Sequence, residues 1–267
     1  MNNESKNSRN IPLPIQREVR QRCGFGCVIC GLPLYEYEHM EGWANVKRHV
    51  ADEITLLCDQ HHREKTGGLL PSEAVRNANN NPYNLRNNIS KPYTLHYSGK
   101  KPKAKIGQLL IETIDEGCGT QFIPLLIDLI PIIGFVLTDG HFLLNLVIFD
   151  EYNHVVLNVV NNQLVYKADL FDIQLVGRKL TIRKEQRNVL LEIIFDTPDI
   201  VIISKANLFV NGLHLIIDEE KIVVNNNNIE FHFHNSTISA PVGISIGEYR
   251  GQAAAIGMEK IDRYKNT

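Results

Sequence analysis

The chain has 267 residues, 43 % of them hydrophobic and 22 % charged, with a formal net charge of −2. That is long and apolar enough for one large domain or two modest ones, which excludes a chain unable to bury a core. The charge is unevenly divided: residues 1–107 carry 16 Lys and Arg against 10 Asp and Glu, and residues 108–267 carry 12 against 20. The basic front half suits a polyphosphate partner, and the acidic rear half is a poor non-specific binder of DNA.

Residues 1–10 are polar and read as a disordered leader; they contain no apolar stretch of the signal-peptide kind, so a cytoplasmic protein is expected. From Pro14 to Arg22 a proline suited to a first helical turn precedes helix-tolerant charged residues, and Gly24 and Gly26 end the helix. Four of the five cysteines (Cys23, Cys27, Cys30, Cys58) then fall close together, while Cys118 stands alone. Without an export signal such a cluster reads as metal binding before disulfide. Cys27-Val-Ile-Cys30 and Cys58-Asp-Gln-His61 are two ligand pairs, each with two intervening residues, a spacing that lets both members of a pair bend round one Zn²⁺. Gly31 permits the tight turn after the first pair, and a structural ion lets a small module fold with little apolar burial. Cys23 competes as a ligand, and His62 competes with His61 for the fourth place.

Beyond Gly67-Gly68 a short helix is expected over about 71–77. Residues 77–105, with an Asn-rich run and the basic KKPKAK segment, read as a linker carrying one strand at Tyr93–Tyr97. After Ile106 short runs rich in Ile, Val, Leu and Phe recur every eight to twelve residues, including His141–Phe149, Val155–Val160, Val189–Phe195, Leu213–Ile217 and Ile229–His234. They are punctuated by Asp139-Gly140, Asn161-Asn162, Asn211-Gly212 and Asn225–Asn228, the pattern of an all-β domain, either a sandwich or a β-roll. Phe122–Leu137 is too short for a membrane span and contains Pro124, Asp128 and Pro131, so it reads as two buried strands. The tail from Ala240 is rich in small residues and ends in a charged, helix-compatible piece, Met258–Tyr264.

The chemistry concentrates between and just after the two ligand pairs, in Glu38-His39, Ile54-Thr-Leu-Leu57, Cys58-Asp-Gln-His61-His62 and Lys65. Over about residues 14–76 these resemble the HNH endonucleases, whose ββα-metal core is a hairpin followed by a helix. The resemblance implies a zinc-braced ββα-metal module in 1–76; with the linker 77–105, the all-β domain 106–240 and the tail 241–267 read from composition and spacing, an α+β protein is expected. The resemblance also implies hydrolysis of DNA phosphodiester bonds, with double-stranded DNA as partner. His39 is the natural general base, since imidazole titrates near neutral pH. Glu38 and His62 are the expected ligands of a catalytic Mg²⁺ or Mn²⁺, the histidine nitrogen tilting preference toward Mn²⁺. The Asn that the family carries five residues before the third zinc ligand falls on Glu53, which accepts hydrogen bonds but does not donate when ionised. In the family that Asn is taken to hold the loop carrying the base; here Glu53 fills that role in part, or His49, Asn45 or Asp52 substitutes, or the enzyme is slow or inactive. Lys47, Arg48, Arg63 and Lys65 are candidate phosphate contacts, and Trp43 either stacks on a base or packs in the core.

Three readings follow. The first is an endonuclease whose β domain recognises a target, senses a signal or oligomerises, an architecture similar to bacterial restriction and phage-defence effectors. The second is a non-catalytic zinc-containing nucleic-acid-binding protein, in which Glu53 marks lost activity. The third makes the β domain a sensor of a ligand or regulatory partner that governs the module. None involves a membrane.

Overall fold

The computed structural model describes residues 9–117, 119–165, 170–224, 229–248 and 254–264. Most of the expected leader, Cys118 and the Asn225–Asn228 turn lie outside the described residues. The fold is mostly β with few helices, and the chain divides into two compact units, Met1–Tyr93 and Thr94–Thr267. No helix among the described residues is long and apolar enough to cross a membrane.

In the first unit, helix α1 (Leu13–Arg22) opens with a proline in its first turn and closes with Arg20 and Arg22, which meet the negative end of the helix dipole. It ends at Cys23, whose N–H donates to the Val19 carbonyl at 2.9 Å. The Arg22 guanidinium then turns inward and donates to the carbonyls of Ala51 at 2.8 Å and Ile54 at 2.5 Å, and to Asn79 Oδ1 at 2.7 Å. Strand β1 (Glu36–His39) is followed by a one-turn helix α2 (Trp43–Val46) and a 3-10 turn (Ala51–Glu53). Strand β2 (Ile54–Leu57) returns antiparallel, with Glu36 opposite Leu57 and His39 opposite Ile54. All four residues of β2 are buried, so this hydrophobic strand anchors the hairpin to the core. Helix α3 (Asp59–Thr66) starts directly after Cys58, with Asp59 in its first turn and Arg63 and Lys65 in its last, the polarity its dipole favours. Val19, Val28, Ile54, Leu56, Leu57 and Val75 form the centre of this unit's core.

The stretch expected as a linker is built into the fold. Helix α4 runs over Ser72–Asn80, helix α5 over Tyr83–Asn87, and two short strands, Leu95–His96 and Lys103–Ile106, follow. Buried Asn84 donates from Nδ2 to the Gly24 carbonyl at 2.8 Å, and the Tyr83 N–H donates to the Val28 carbonyl at 2.9 Å. Asparagine is equally at home in a solvated linker and in turns that its side chain ties to backbone, so composition did not separate the two.

In the second unit the described strands belong to one hydrogen-bonded system. They therefore do not divide into the two separately bonded sheets of a sandwich. The Phe122–Leu137 segment forms two strands, Thr120–Ile127 and Ile130–Thr138, and the latter pairs antiparallel with His141–Phe149. Asp139, Gly140, Asn161, Asn162, Asn211 and Gly212 all have positive φ, as two-residue hairpin turns require. The sequence did not flag a further turn at Asp128-Leu129, where φ is +47° and +65°. A leucine is strained there, and Asp128 is held by Arg263 Nη1 at 2.7 Å, Arg263 Nη2 at 2.6 Å and Asn211 Nδ2 at 2.9 Å.

Late strands return to lie beside early ones. Lys103–Ile106 pairs parallel with Ile200–Val210, Leu109–Glu112 with Thr237–Ser239, and Thr120–Ile127 with Val242–Ile246. The residues expected as a separate tail are thus part of the sheet, and Ala254–Met258 extends it by pairing parallel with Val242–Ile246. Residues 259–264 are not helical. These pairings set the limits of an independent β unit. A fragment 94–267 is expected to fold alone with a β-type circular dichroism spectrum. A fragment 106–267 lacks buried Tyr97 and Ala104 and most of the parallel register with Ile200–Ile203. It is expected to melt about 6 °C lower, the shift that ~2 kcal/mol produces in a domain of this size. Equal melting temperatures would show that the first strands contribute nothing.

Candidate metal centre and the adjoining histidine–carboxylate cluster

Cys27 and Cys30 lie in the turn after α1, and Cys58 and His61 bracket the start of α3. One ligand atom from each of Cys27, Cys30, Cys58 and His61 lies within 4.8 Å of all the others. Cys30 Sγ is 3.8 Å from Cys58 Sγ, and His61 Nδ1 is 3.4 Å from Cys27 Sγ and 3.1 Å from Cys58 Sγ. A tetrahedral zinc with ordinary Zn–S and Zn–N bonds sets ligands about 3.8 Å apart for two sulfurs and about 3.6 Å for sulfur and nitrogen. The cluster is therefore sized to hold one zinc ion. Its chemistry agrees. The Cys27 thiol is pushed up to about 12 by its hydrogen bond to Cys30 and then by burial, and burial raises Cys58, whereas the bond from Cys27 lowers Cys30. Buried thiols of this kind ionise at the cost of desolvation, which a coordinated divalent cation offsets.

Cys23 stands outside the set. It is fully buried, and its thiol donates to Asn79 Oδ1 at 3.7 Å and lies 3.9 Å from Thr55 Oγ1. The turn between the ligands is closed by Gly31, whose N–H donates to the Cys27 carbonyl at 2.8 Å. Gly31 has φ +77°, and a Cβ there would lie 2.3 Å from Asn84 Oδ1 and 2.5 Å from Tyr83 Cδ1. Gly31→Ala is expected to cost about 3 kcal/mol, a left-handed penalty plus overpacking. Gly68, at φ +76° with nothing within 4 Å of a built Cβ, is the control, and Gly68→Ala is expected to cost only about 1 kcal/mol. Chemical denaturation of the two variants measures the difference, and equal losses would show that packing under the turn is unimportant.

Next to the zinc ligands lies a second cluster. The alternation of β1 puts Glu36 and Glu38 on one face of the strand, and the first turn of α3 presents His62 to them. His62 Nε2 is 2.9 Å from Glu38 Oε2, and His62 Nδ1 is 3.3 Å from Glu36 Oε2. Lys65, one turn further along α3, places Nζ 2.5 Å from Glu38 Oε1 and 3.4 Å from the His39 carbonyl oxygen. The arrangement distinguishes the two adjacent histidines: His61 faces the sulfurs and His62 faces the carboxylates.

His39 is the last residue of β1 and is buried. Its Nε2 lies 3.2 Å from His49 Nδ1, and its ring also bonds the Arg48 backbone. Trp43 packs against both imidazoles, stacked on His49 at 4.8 Å between ring centres and tilted against His39 at 5.0 Å. Burial first, then the charge of His49, holds His39 below the usual histidine value. Near neutral pH it is therefore an unprotonated imidazole able to accept a proton.

The loop between the strands is clasped by Glu53, which accepts from Arg48 Nε at 3.0 Å and also from Arg48 Nη2. That bidentate bond holds the Glu53 carboxyl below its usual range. Arg48, expected at a phosphate, is thus engaged with Glu53, and Lys65 is inside the carboxylate cluster with a side chain only 10 % exposed. Arg63 pairs with Asp59 at 3.6 Å and remains mostly exposed, and Lys47 is exposed in a left-handed conformation after α2. Glu36 was missed in the sequence, although its spacing of two from Glu38 was a legible signal. His49 entered only as one of several substitutes for the absent Asn, because the loop that returns it to His39 has no periodicity to read. The chain matches no family model, no curated protein and no solved structure.

Proposed function

We propose that the first unit is an HNH-type, metal-dependent endonuclease module that hydrolyses DNA, with the β-rich unit governing where or when it acts. The observation that carries this reading is the meeting of Glu38 and His62 at 2.9 Å, at the mouth of a hairpin and helix joined by a zinc-sized Cys/His set, with His39 next to Glu38 in the strand. The order of first ligand pair, hairpin, second ligand pair and helix supports this reading. Glu38 and His62 would hold a Mg²⁺ or Mn²⁺, which when bound neutralises charge developing on the phosphate. His39 would take the proton of the attacking water through its imidazole. The Arg48 backbone binds one nitrogen of that ring, so the proton would go to Nε2, which meets His49 at 3.2 Å. The Glu53–Arg48 clasp would fix the loop, the task ascribed to the family's Asn. Lys65 donates to the other oxygen of Glu38. A setting in bacterial restriction or phage defence fits this pairing of modules.

One observation favours the second reading, a non-catalytic zinc-containing nucleic-acid-binding protein: the Lys65 ammonium sits on Glu38, where its charge opposes a divalent cation. Plasmid cleavage by the full chain decides between them. Nicking with Mg²⁺ or Mn²⁺ that stops in EDTA is the expected result. DNA binding without cleavage under every metal would leave the second reading, and cleavage only with an added ligand or partner the third.

A further inference from the structure

His62 has a carboxylate at each ring nitrogen. Glu38 stands 2.9 Å from Nε2 and Glu36 stands 3.3 Å from Nδ1. The two acids have unequal surroundings. Glu38 is 15 % exposed and also receives Lys65, whereas Glu36 is 58 % exposed and pairs with His62. An imidazole that ligates a cation through one nitrogen commonly donates its other N–H to a carboxylate, which fixes both tautomer and ring angle. Resting on the nuclease reading above, we infer that Glu36 is a positioning residue: it holds the proton of His62 on Nδ1 and so turns Nε2, as the lone-pair nitrogen, toward the cation shared with Glu38. Glu36 is not itself a ligand of that cation, because its carboxylate addresses the nitrogen turned away from Glu38. The strand supplies the geometry at no added cost, since residues 36 and 38 alternate onto the same face and Leu57, opposite Glu36, is locked in the core.

The test uses the zinc-loaded full chain, with zinc content verified for each variant, and two readouts. The first is the ¹⁵N spectrum of His62, assigned by its loss in His62→Gln, recorded with diamagnetic Mg²⁺ at one concentration just sufficient to load the wild type. The second is Mn²⁺ affinity, from the signal of free Mn²⁺ in electron paramagnetic resonance. With Mg²⁺ on Nε2 the wild-type His62 is expected as the Nδ1–H tautomer. Glu36→Ala is expected to move it toward Nε2–H and to weaken Mn²⁺ binding about tenfold. Glu36→Gln, whose amide oxygen still accepts from Nδ1–H, is expected to keep the wild-type tautomer and most of the affinity. An unchanged tautomer in Glu36→Ala would overturn the inference. So would a Glu36→Gln variant as weak as Glu36→Ala, which would make the carboxylate's charge, not its acceptor, the active feature. A wild type that binds no Mn²⁺ overturns the nuclease reading instead, whereas a wild type that binds it with Glu36→Ala unchanged overturns only the inference about Glu36.

Discussion

Cys58→Ser is expected to release the zinc and unfold the first unit while the β-rich unit stays folded. Cys58 is the hinge of the small module: it ends the buried strand β2, begins α3, and supplies a sulfur to a set whose other members come from the turn after α1. The first unit's core is small, and its largest side chains are clustered within a few residues of the ligands. In zinc-finger peptides a structural zinc contributes about 10–16 kcal/mol, as much as the whole stability of a typical domain, about 5–15 kcal/mol. Serine keeps the size of the side chain but loses the thiolate, so the module is left without its main cross-link. The β-rich unit has its own core, including Phe122, Phe135, Leu191, Ile203 and Leu215, with no metal-ligand set among the described residues there. Elemental analysis should therefore fall from one zinc per chain to near none. Hydrogen exchange should become fast across 13–87 and remain protected across the strands from 120 to 246. Cys23→Ser is the matched control and should keep the zinc, because its thiol faces Asn79 and Thr55. Retention of zinc by Cys58→Ser, or its loss from Cys23→Ser, would require a different ligand set.

His39→Ala is expected to abolish DNA cleavage, by about 10²–10⁴-fold as loss of a general base commonly does, while DNA binding and zinc content stay unchanged. Glu38→Ala and His62→Ala should fail for a different reason, weakened binding of the catalytic ion, so raised Mn²⁺ should restore part of their activity and none of that of His39→Ala. The geometry sharpens the contrast. Glu38 and His62 face each other at 2.9 Å, while His39 meets His49 at 3.2 Å. His49→Ala should lower the rate less than His39→Ala, because it loosens the imidazole and does not remove it. Zinc loss from His62→Ala would mean that His61 and His62 exchange roles. Wild-type cleavage by His39→Ala would end the nuclease assignment.

Some of this protein was legible in its sequence because the physics is local. The spacing of Cys27, Cys30, Cys58 and His61 announces a metal cluster, since two intervening residues are what one turn of chain needs to bring both donors to one ion. The strands at 141–149, 155–160 and 213–217 and their Asn and Asp-Gly turns follow from side-chain alternation and from which residues tolerate positive φ. What depends on partners distant in the chain was not legible. The Asn-rich stretch became part of the first unit because Asn84 finds the Gly24 carbonyl sixty residues away, and the tail joined the sheet because Val242–Ile246 pairs with Thr120–Ile127. The roles of charged residues were decided the same way. Arg48 and Lys65 read as phosphate contacts, yet one clasps Glu53 and the other sits on Glu38, because a long flexible cation takes the nearest carboxylate that the tertiary fold offers. Composition and spacing determine which donors exist and how neighbours turn. Only the folded backbone brings Glu36, His49 and Lys65 to their partners, since that proximity is set by packing β1, α3 and the loop between the strands on one core and not by any period along the chain.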